Sequence, residues 1–249
     1  MKRGRLGKAG RAEMVPIAEN RRGSQSADGR SARDLWRFEA EAWAQGYSLV
    51  AGGDEAGRGP WAGPVVAAFV ILRREDPIAG VDDSKKLTRE RRRELFDEIR
   101  ARALAYGIGE ASPREIDRLN ILEATRLAFQ RAFAALTPAP DFVLLDHIRL
   151  GWLRVPSRSF PKGDSLSASI AAASILAKET RDRHMEAMDQ AFPGYGFGRH
   201  MGYGTPEHQE ALRRLGPCEI HRRSFKPVAC LCQKPVGITP SLFASEEVE

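Results

Sequence analysis

Residues 47–72 read YSLVAGGDEAGRGPWAGPVVAAFVIL, and the fold turns on how this stretch is parsed. Two apolar runs, Tyr47–Gly53 and Val65–Leu72, are the length of strands and flank a glycine-rich turn. Val65–Leu72 is the longest clean apolar run of the chain and suits a buried strand; it is far too short to span a membrane. Asp54 and Glu55 sit where the first run ends. Adjacent carboxylates raise each other's proton affinity unless a cation is present. Neighbouring acids are common on solvated surfaces, but Val50-Ala51 before this pair and Gly63-Pro64-Val65-Val66 after it are not surface sequence. A hard cation with oxygen ligands is the better reading.

Outward from this stretch, strands and helices interleave. Upstream, Trp36, Ala40 and Trp43 fall at helical spacing from Arg33 until Gly46 stops the helix. Downstream come a polar loop at Gly80–Thr88, a charged helix at Arg89–Ala103, a strand around Leu104–Glu110, and helices near Pro113–Leu119 and Ile121–Leu136. Asp141–Asp146 is a short apolar strand ending in a carboxylate. One long helix is expected over Ser165–Phe192, then a glycine-rich loop at Pro193–Gly204 and a short helix at Pro206–Leu215. This order indicates an α/β layered fold. Residues 1–32, rich in Arg, Gly, Ser and Ala, read as a disordered basic tail; 33–230 reads as the folded domain and 231–249 as a flexible C-terminal tail.

The charge balance does not itself point to nucleic acid. Residues 1–33 hold nine Lys/Arg against three Asp/Glu, which accounts for the whole net charge of +6, so the rest of the chain is balanced. Any nucleic-acid reading must rest on local groups. Cys218, Cys230 and Cys232 are too few and too clustered for a disulfide framework and lack the further ligands of a zinc site; they read as ordinary thiols in a reducing, cytoplasmic compartment. No secretory signal is visible and no membrane association is expected.

Two more acids stand at element ends. Asp146 follows Phe142-Val143-Leu144-Leu145, where a turn cap is the plain alternative. Asp164 precedes the long helix, where it could act as an N-cap. With Asp54 and Glu55 they make a four-carboxylate nest able to hold two Mg²⁺ or Mn²⁺ ions roughly 3.5–4 Å apart. His184, His200, His208 and His221 are scattered and none has metal-ligating spacing.

The ordered motifs Asp54-Glu55-Ala56-Gly57-Arg58-Gly59-Pro60, Asp83-Ser84-Lys85-Lys86-Leu87, Lys162-Gly163-Asp164, Ala172-Ala173-Ser174-Ile175-Leu176-Ala177-Lys178, Gly202-Tyr203-Gly204-Thr205 and His221-Arg222-Arg223-Ser224-Phe225 resemble the bacterial ribonuclease HII family over about residues 35–228. The resemblance implies a ribonuclease H-like fold: a mixed five-stranded sheet flanked by helices, with a helical C-terminal part. It implies that Asp54, Glu55, Asp146 and Asp164 are the metal-binding catalytic acids. It also implies that Gly57, Arg58, Gly59 and Tyr203 read a ribonucleotide at an RNA–DNA junction. Glycines allow close approach to a 2′-hydroxyl, Arg58 can hold a phosphate in a fork, and Tyr203 offers a flat stacking surface. Lys85 and Lys86 are expected to contact phosphates. Lys178 and Asp182, one helical turn apart, read as a surface pair.

The implied activity is a monomeric endoribonuclease that cuts the RNA strand of RNA–DNA hybrids and incises duplex DNA 5′ of embedded ribonucleotides, using two divalent cations, Mn²⁺ or Mg²⁺. A noncatalytic hybrid-binding module on the same fold is the alternative, and a Holliday-junction resolvase would leave the Gly57-Arg58-Gly59 turn and Tyr203 unexplained. Two departures from the family pattern stand out. Gly53 replaces the usual Val, which is expected to loosen the first strand. His147 replaces the usual Gly after the third Asp, which is expected to crowd the site or shift its pH dependence.

Overall fold

Seven consecutive apolar residues cannot alternate between a wet and a dry face, so a strand made of them is buried on both sides. In the computed structural model, which describes residues 35–232, that strand is β2 (Val65–Ile71), buried throughout. It lies antiparallel between β1 (Val50–Ala56) and β3 (Ala105–Ala111). Beyond β1 come β4 (Phe142–Asp146) and then β5 (Ser157–Phe160), each parallel to its inner neighbour. The order β3-β2-β1-β4-β5 is the mixed five-stranded sheet that the resemblance implies.

Alternate side chains of β2 serve two different layers. Val65, Ala67, Phe69 and Ile71 pack on Ala124, Ala128, Phe129 and Ala132 of α4 (Ile121–Ala134). Val66, Ala68 and Val70 face α2 (Arg89–Arg102) and α5 (Ala168–Ala191), meeting Leu95, Phe96, Ile99 and the alanine-rich first half of α5. Helices therefore cover both faces of the sheet. The small residues of α5 matter because the helix rides directly over β1. A Cβ on Gly52 would stand 2.1 Å from the carbonyl carbon of Ser169, so only glycine fits beneath it.

The start of α5 is fastened from outside. Ser167 is the N-cap, accepting from the Ile170 amide at 3.2 Å. Glu39, buried on α1 (Arg37–Ala44), accepts from the Ser167 hydroxyl at 2.6 Å and the Ser169 amide at 2.9 Å. The C-terminal part is helical, as expected. α6 (Phe197–His200), α7 (Pro206–Leu215) and α8 (Lys226–Cys232) gather around Met185, Phe197, Leu212 and Val228. The short α3 (Pro113–Leu119) is closed by a Ser112–Glu115 capping box.

Several elements differ from their expected bounds. β1 runs on through Asp54 and Glu55, so the two acids are strand residues paired with Ala68 and Ala67 rather than the first residues of a turn. The long helix begins at Ala168, and residues 163–165 form a separate 3₁₀ turn, so Asp164 is not its N-cap. β5 has no apolar alternation because it is an exposed edge, and α6 interrupts the expected glycine-rich loop. Lys178 and Asp182 do pair, but not on the surface. Asp182 is buried and also accepts from Arg92 Nη2 at 3.2 Å, which ties α2 to α5 in the interior. Among the described residues no helix is long and apolar enough to cross a membrane. The expected basic leader and residues 233–249 lie outside the described residues.

Candidate active site

The parallel pairing of β1 with β4 brings the first and third acids to the same end of neighbouring strands. Gly53 pairs with Leu145, so Asp54 and Asp146 follow side by side. Beyond β4, the Lys162–Ser165 segment folds back over its end. The Gly163 amide donates to Asp146 Oδ1 at 2.8 Å, which places Asp164 at the same corner. Asp54 and Asp164 are both 5% exposed. Two strands and a turn distant in sequence therefore converge on one acidic site.

The electrostatics register that convergence. Burial pushes the Asp54 carboxyl well above the usual carboxylate range, and the charges of Glu55 and Asp146 push it further. Burial also raises Glu55; Arg58 opposes that shift and Asp146 adds to it. Asp164 is raised by burial, then by Asp83, with Lys85 acting against them and Asp146 with them. The charge of Asp146 thus acts on all three of the other acids.

Local cations and amides already face these carboxylates. Asp54 Oδ1 accepts from the Glu55 amide at 2.8 Å. Arg58 Nη1 lies 3.2 Å from Glu55 Oε1, and Lys85 Nζ lies 3.6 Å from Asp164 Oδ2. Lys86 Nζ donates to Asp82 and to the Ser165 hydroxyl, both at 3.3 Å. As placed, no group of three or more His, Cys, Asp or Glu side chains among the described residues is drawn tightly enough together to hold a metal ion. The donor set nevertheless suits a hard cation. It is all oxygen and mutually repelling, with Asp54 and Asp164 buried and Glu55 and Asp146 half-buried, and the Glu55 Oε2 atom is buried with no hydrogen-bond partner.

The turn after β1 stands next to the acids, joined to them through Arg58. Gly57 has φ of +95°, and a Cβ there would strike Arg181, so this position requires glycine. Gly59 lies under the ring of Tyr203, whose Cε1 is 3.6 Å from where a Cβ on Gly59 would sit. Tyr203 is 46% exposed, an aromatic face open to solvent beside a backbone turn. The structure therefore brings together Gly57, Arg58, Gly59 and Tyr203 and sets Lys85 by Asp164, whereas Lys86 turns to Asp82 and to the Ser165 hydroxyl next to Asp164.

Sequence reasoning missed three groups here. Asp83 accepts from the Lys85 amide at 3.0 Å and raises Asp164; it lay inside a quoted motif, but in a loop where nothing marked it. The histidines that looked scattered in fact meet. His200 stacks on His208 at 4.5 Å, and His208 Nε2 is 3.1 Å from His221 Nε2. His208 Nδ1 lies 2.9 Å from the Tyr203 carbonyl, so this buried cluster backs the tyrosine's loop. Arg181 and Arg222 are fully buried beneath the Gly57–Pro64 loop.

The ribonuclease HII family model matches residues 51–228. The chain is 49% identical over 233 residues to the ribonuclease HII of Anaeromyxobacter sp. (strain Fw109-5), spanning 94% of this chain and 73% of that protein. It is 55% identical over 195 residues to the ribonuclease HII of Geobacillus kaustophilus (strain HTA426), spanning 78% and 75%. The ribonuclease H2 of Pyrococcus horikoshii OT3 superposes with a TM-score of 0.63 at 28% identity, covering 74% of this chain and 97% of that one. The chain belongs to the ribonuclease HII family, and as a ribonuclease H it is an endoribonuclease acting on RNA–DNA hybrids.

Proposed function

We propose that the chain hydrolyses the phosphodiester on the 5′ side of a ribonucleotide, within hybrids and where one is embedded in duplex DNA, leaving a 5′-phosphate and a 3′-hydroxyl. The observation that carries this reading is the convergence of Asp54, Glu55, Asp146 and Asp164 at the adjoining ends of β1 and β4, where the Gly163 amide holds Asp146 beside Asp164, next to a turn that Tyr203 approaches. Family membership makes metal dependence the expectation. Asp54, Glu55, Asp146 and Asp164 would hold two divalent cations, Mn²⁺ or Mg²⁺. Bound there, such ions supply an activated water and neutralise charge at the leaving oxygen.

The chain's own residues do the selecting and the positioning. Gly57 and Gly59 let backbone approach the ribose closely enough to sense the 2′-hydroxyl, which is the one group that separates RNA from DNA at that point. Tyr203 stacks against the neighbouring sugar or base, and Arg58, Lys85 and Lys86 hold phosphates. Arg58 and Lys85 already set positive charge against Glu55 and Asp164, so incoming cations and phosphates rearrange an existing charge balance. In this reading the protein acts as a monomer in the cytoplasm.

Asp54→Asn tests the reading. It keeps the side chain's size and removes one buried charge. Cleavage of a duplex with a single ribonucleotide is expected to fall by at least about a hundredfold in Mg²⁺ and in Mn²⁺. Undiminished cleavage would sink the acidic site; equal cleavage of the all-DNA duplex by the wild type would sink the ribose-reading turn.

A further inference from the structure

Arg222, in the His221-Arg222-Arg223-Ser224-Phe225 stretch, has no assigned part in the reading above, yet it is 0% exposed. Its guanidinium spans both limbs of the loop between β1 and β2. Nη2 donates to the carbonyls of Gly57 at 2.6 Å and Pro64 at 3.1 Å, Nη1 to Arg58 at 3.0 Å, and Nε to Gly63 at 2.9 Å. One planar group therefore closes the whole Gly57–Pro64 loop by its carbonyls. Arg181, 1% exposed on α5, adds a second clasp. It donates to Pro64, Ala62 and Met201 carbonyls, each at 3.0 Å, and so joins the loop to the segment that carries Tyr203.

Neither guanidinium meets a carboxylate within ion-pair distance among the described residues. Burying an unpaired cation is costly, and here two lie close enough that the charge of Arg181 acts on Arg222. Burial holds Arg181 down to about 10 and Arg222 to about 9. A loop that only needed closing could be closed by neutral donors. What two guanidiniums add is positive charge under the turn that meets a polyanion, offset in part by Asp182 near Arg181 and Asp117 near Arg222.

Resting on the assignment of Gly57-Arg58-Gly59 and Tyr203 as the ribose-reading surface, we infer that Arg222, with Arg181, is a positioning residue for ribonucleotide discrimination: it fixes the turn by its carbonyls and holds it against the segment that carries Tyr203. The planar fork is essential to this, because four carbonyls are reached from three nitrogens pointing in different directions. Lysine keeps the charge but donates from a single point.

The test compares wild type with Arg222→Lys in the full-length chain. Binding is measured by fluorescence anisotropy with Ca²⁺ in place of Mg²⁺, using one duplex with a single ribonucleotide and the same duplex as all DNA. For Arg222→Lys the preference for the ribonucleotide is expected to fall at least about tenfold, the worth of one well-made hydrogen bond. Affinity for the all-DNA duplex, which follows charge, is expected to stay within about twofold. A merely structural role would lower thermal stability and the active fraction and leave the preference ratio unmoved, which overturns the inference. Should Arg222→Lys fail to fold, Phe225→Leu reads the same ratio, since the Phe225 ring lies 5.2 Å from the Arg222 guanidinium. A reduced ratio supports the inference and an unchanged one overturns it. If wild type binds both duplexes equally, the ribose-reading turn itself falls, a result distinct from discrimination surviving in the variants.

Discussion

Phe69 stands directly opposite Gly53 on the β1–β2 ladder, and its ring occupies the space that a side chain at Gly53 would need. A Cβ at Gly53 would lie 2.5 Å from Phe69 Cε1 and 2.8 Å from Cδ1. The same ring packs edge-on against Phe129 and Phe133, with centroids 5.4 and 5.7 Å away. The expectation that Gly53 loosens the first strand is therefore not met, because the cross-strand aromatic covers the glycine. The strand carrying Asp54 is packed on both faces, by Phe69 on one and by α5 on the other.

This pairing predicts strong non-additivity. Gly53→Val alone should destabilise by about 1–3 kcal/mol through overpacking, and Phe69→Ala alone by about 3–5 kcal/mol through the cavity it leaves. The double variant should be more stable than Phe69→Ala alone, since valine refills part of the hole. Urea unfolding of the four proteins measures this. Simple addition of the two losses would show that the residues do not compensate.

His147 carries the other departure, and its backbone explains what it costs. Its φ is +46°, in the left-handed region, and its side chain is exposed. A non-glycine residue there is strained by about 1–2 kcal/mol, part of which glycine gives back through its freer unfolded chain. His147→Gly should stabilise the fold by about 0.5–1 kcal/mol in thermal unfolding. A loss of stability would mean that the imidazole makes a favourable contact outweighing the strain.

Much of this was legible before the structure, for physical reasons that differ by residue. β2 announces itself because it is apolar at every position, which only a strand buried on both faces tolerates. Asp54 and Glu55 stand out because their neighbours are core residues. β5 does not, since an exposed Ser-Arg-Ser edge carries no burial pattern. Asp83 looks like any loop acid, and its proximity to Asp164 depends on how two loops fold together. Arg222 stands out only as part of a motif; nothing local says that its acceptors are carbonyls on the far β1–β2 loop. His200, His208 and His221 lie on different elements, so their stacking depends on the packing of α6 and α7.

Glu39 gives a pH prediction. Its carboxyl is raised by burial, with the hydrogen bonds from Ser167 and Ser169 only partly opposing that. A carboxyl raised on folding keeps its proton in the folded chain while the unfolded chain has already lost it. Its contribution is therefore present below the unfolded value of 4.5 and is lost as pH rises through the folded value. Glu39→Gln keeps an acceptor for Ser167 and the Ser169 amide without a charge. Relative to wild type it should gain on the order of 1 kcal/mol between pH 4 and pH 8. A constant difference across that range would show that Glu39 does not titrate in it.

The acidic corner itself predicts how the fold responds to metal. Asp54, Glu55 and Asp164 are all raised, because burial and mutual repulsion oppose ionising them together in the folded chain. A divalent cation that settles among them binds the folded state and not the unfolded one, and relieves that repulsion. At pH 7.5, Mn²⁺ at a hundredfold excess over its Kd should raise Tm by roughly 5–10 °C, and EDTA should reverse the rise. At pH 5 the rise should be smaller, because these same raised carboxyls hold protons that the cation must displace. Asp146→Asn should lose most of the metal-dependent rise at either pH, since Asp146 is the charge that reaches the other three. Differential scanning calorimetry with and without Mn²⁺ decides it. A Tm indifferent to the metal in the wild type would mean that the four carboxylates, though neighbours, do not act as one site.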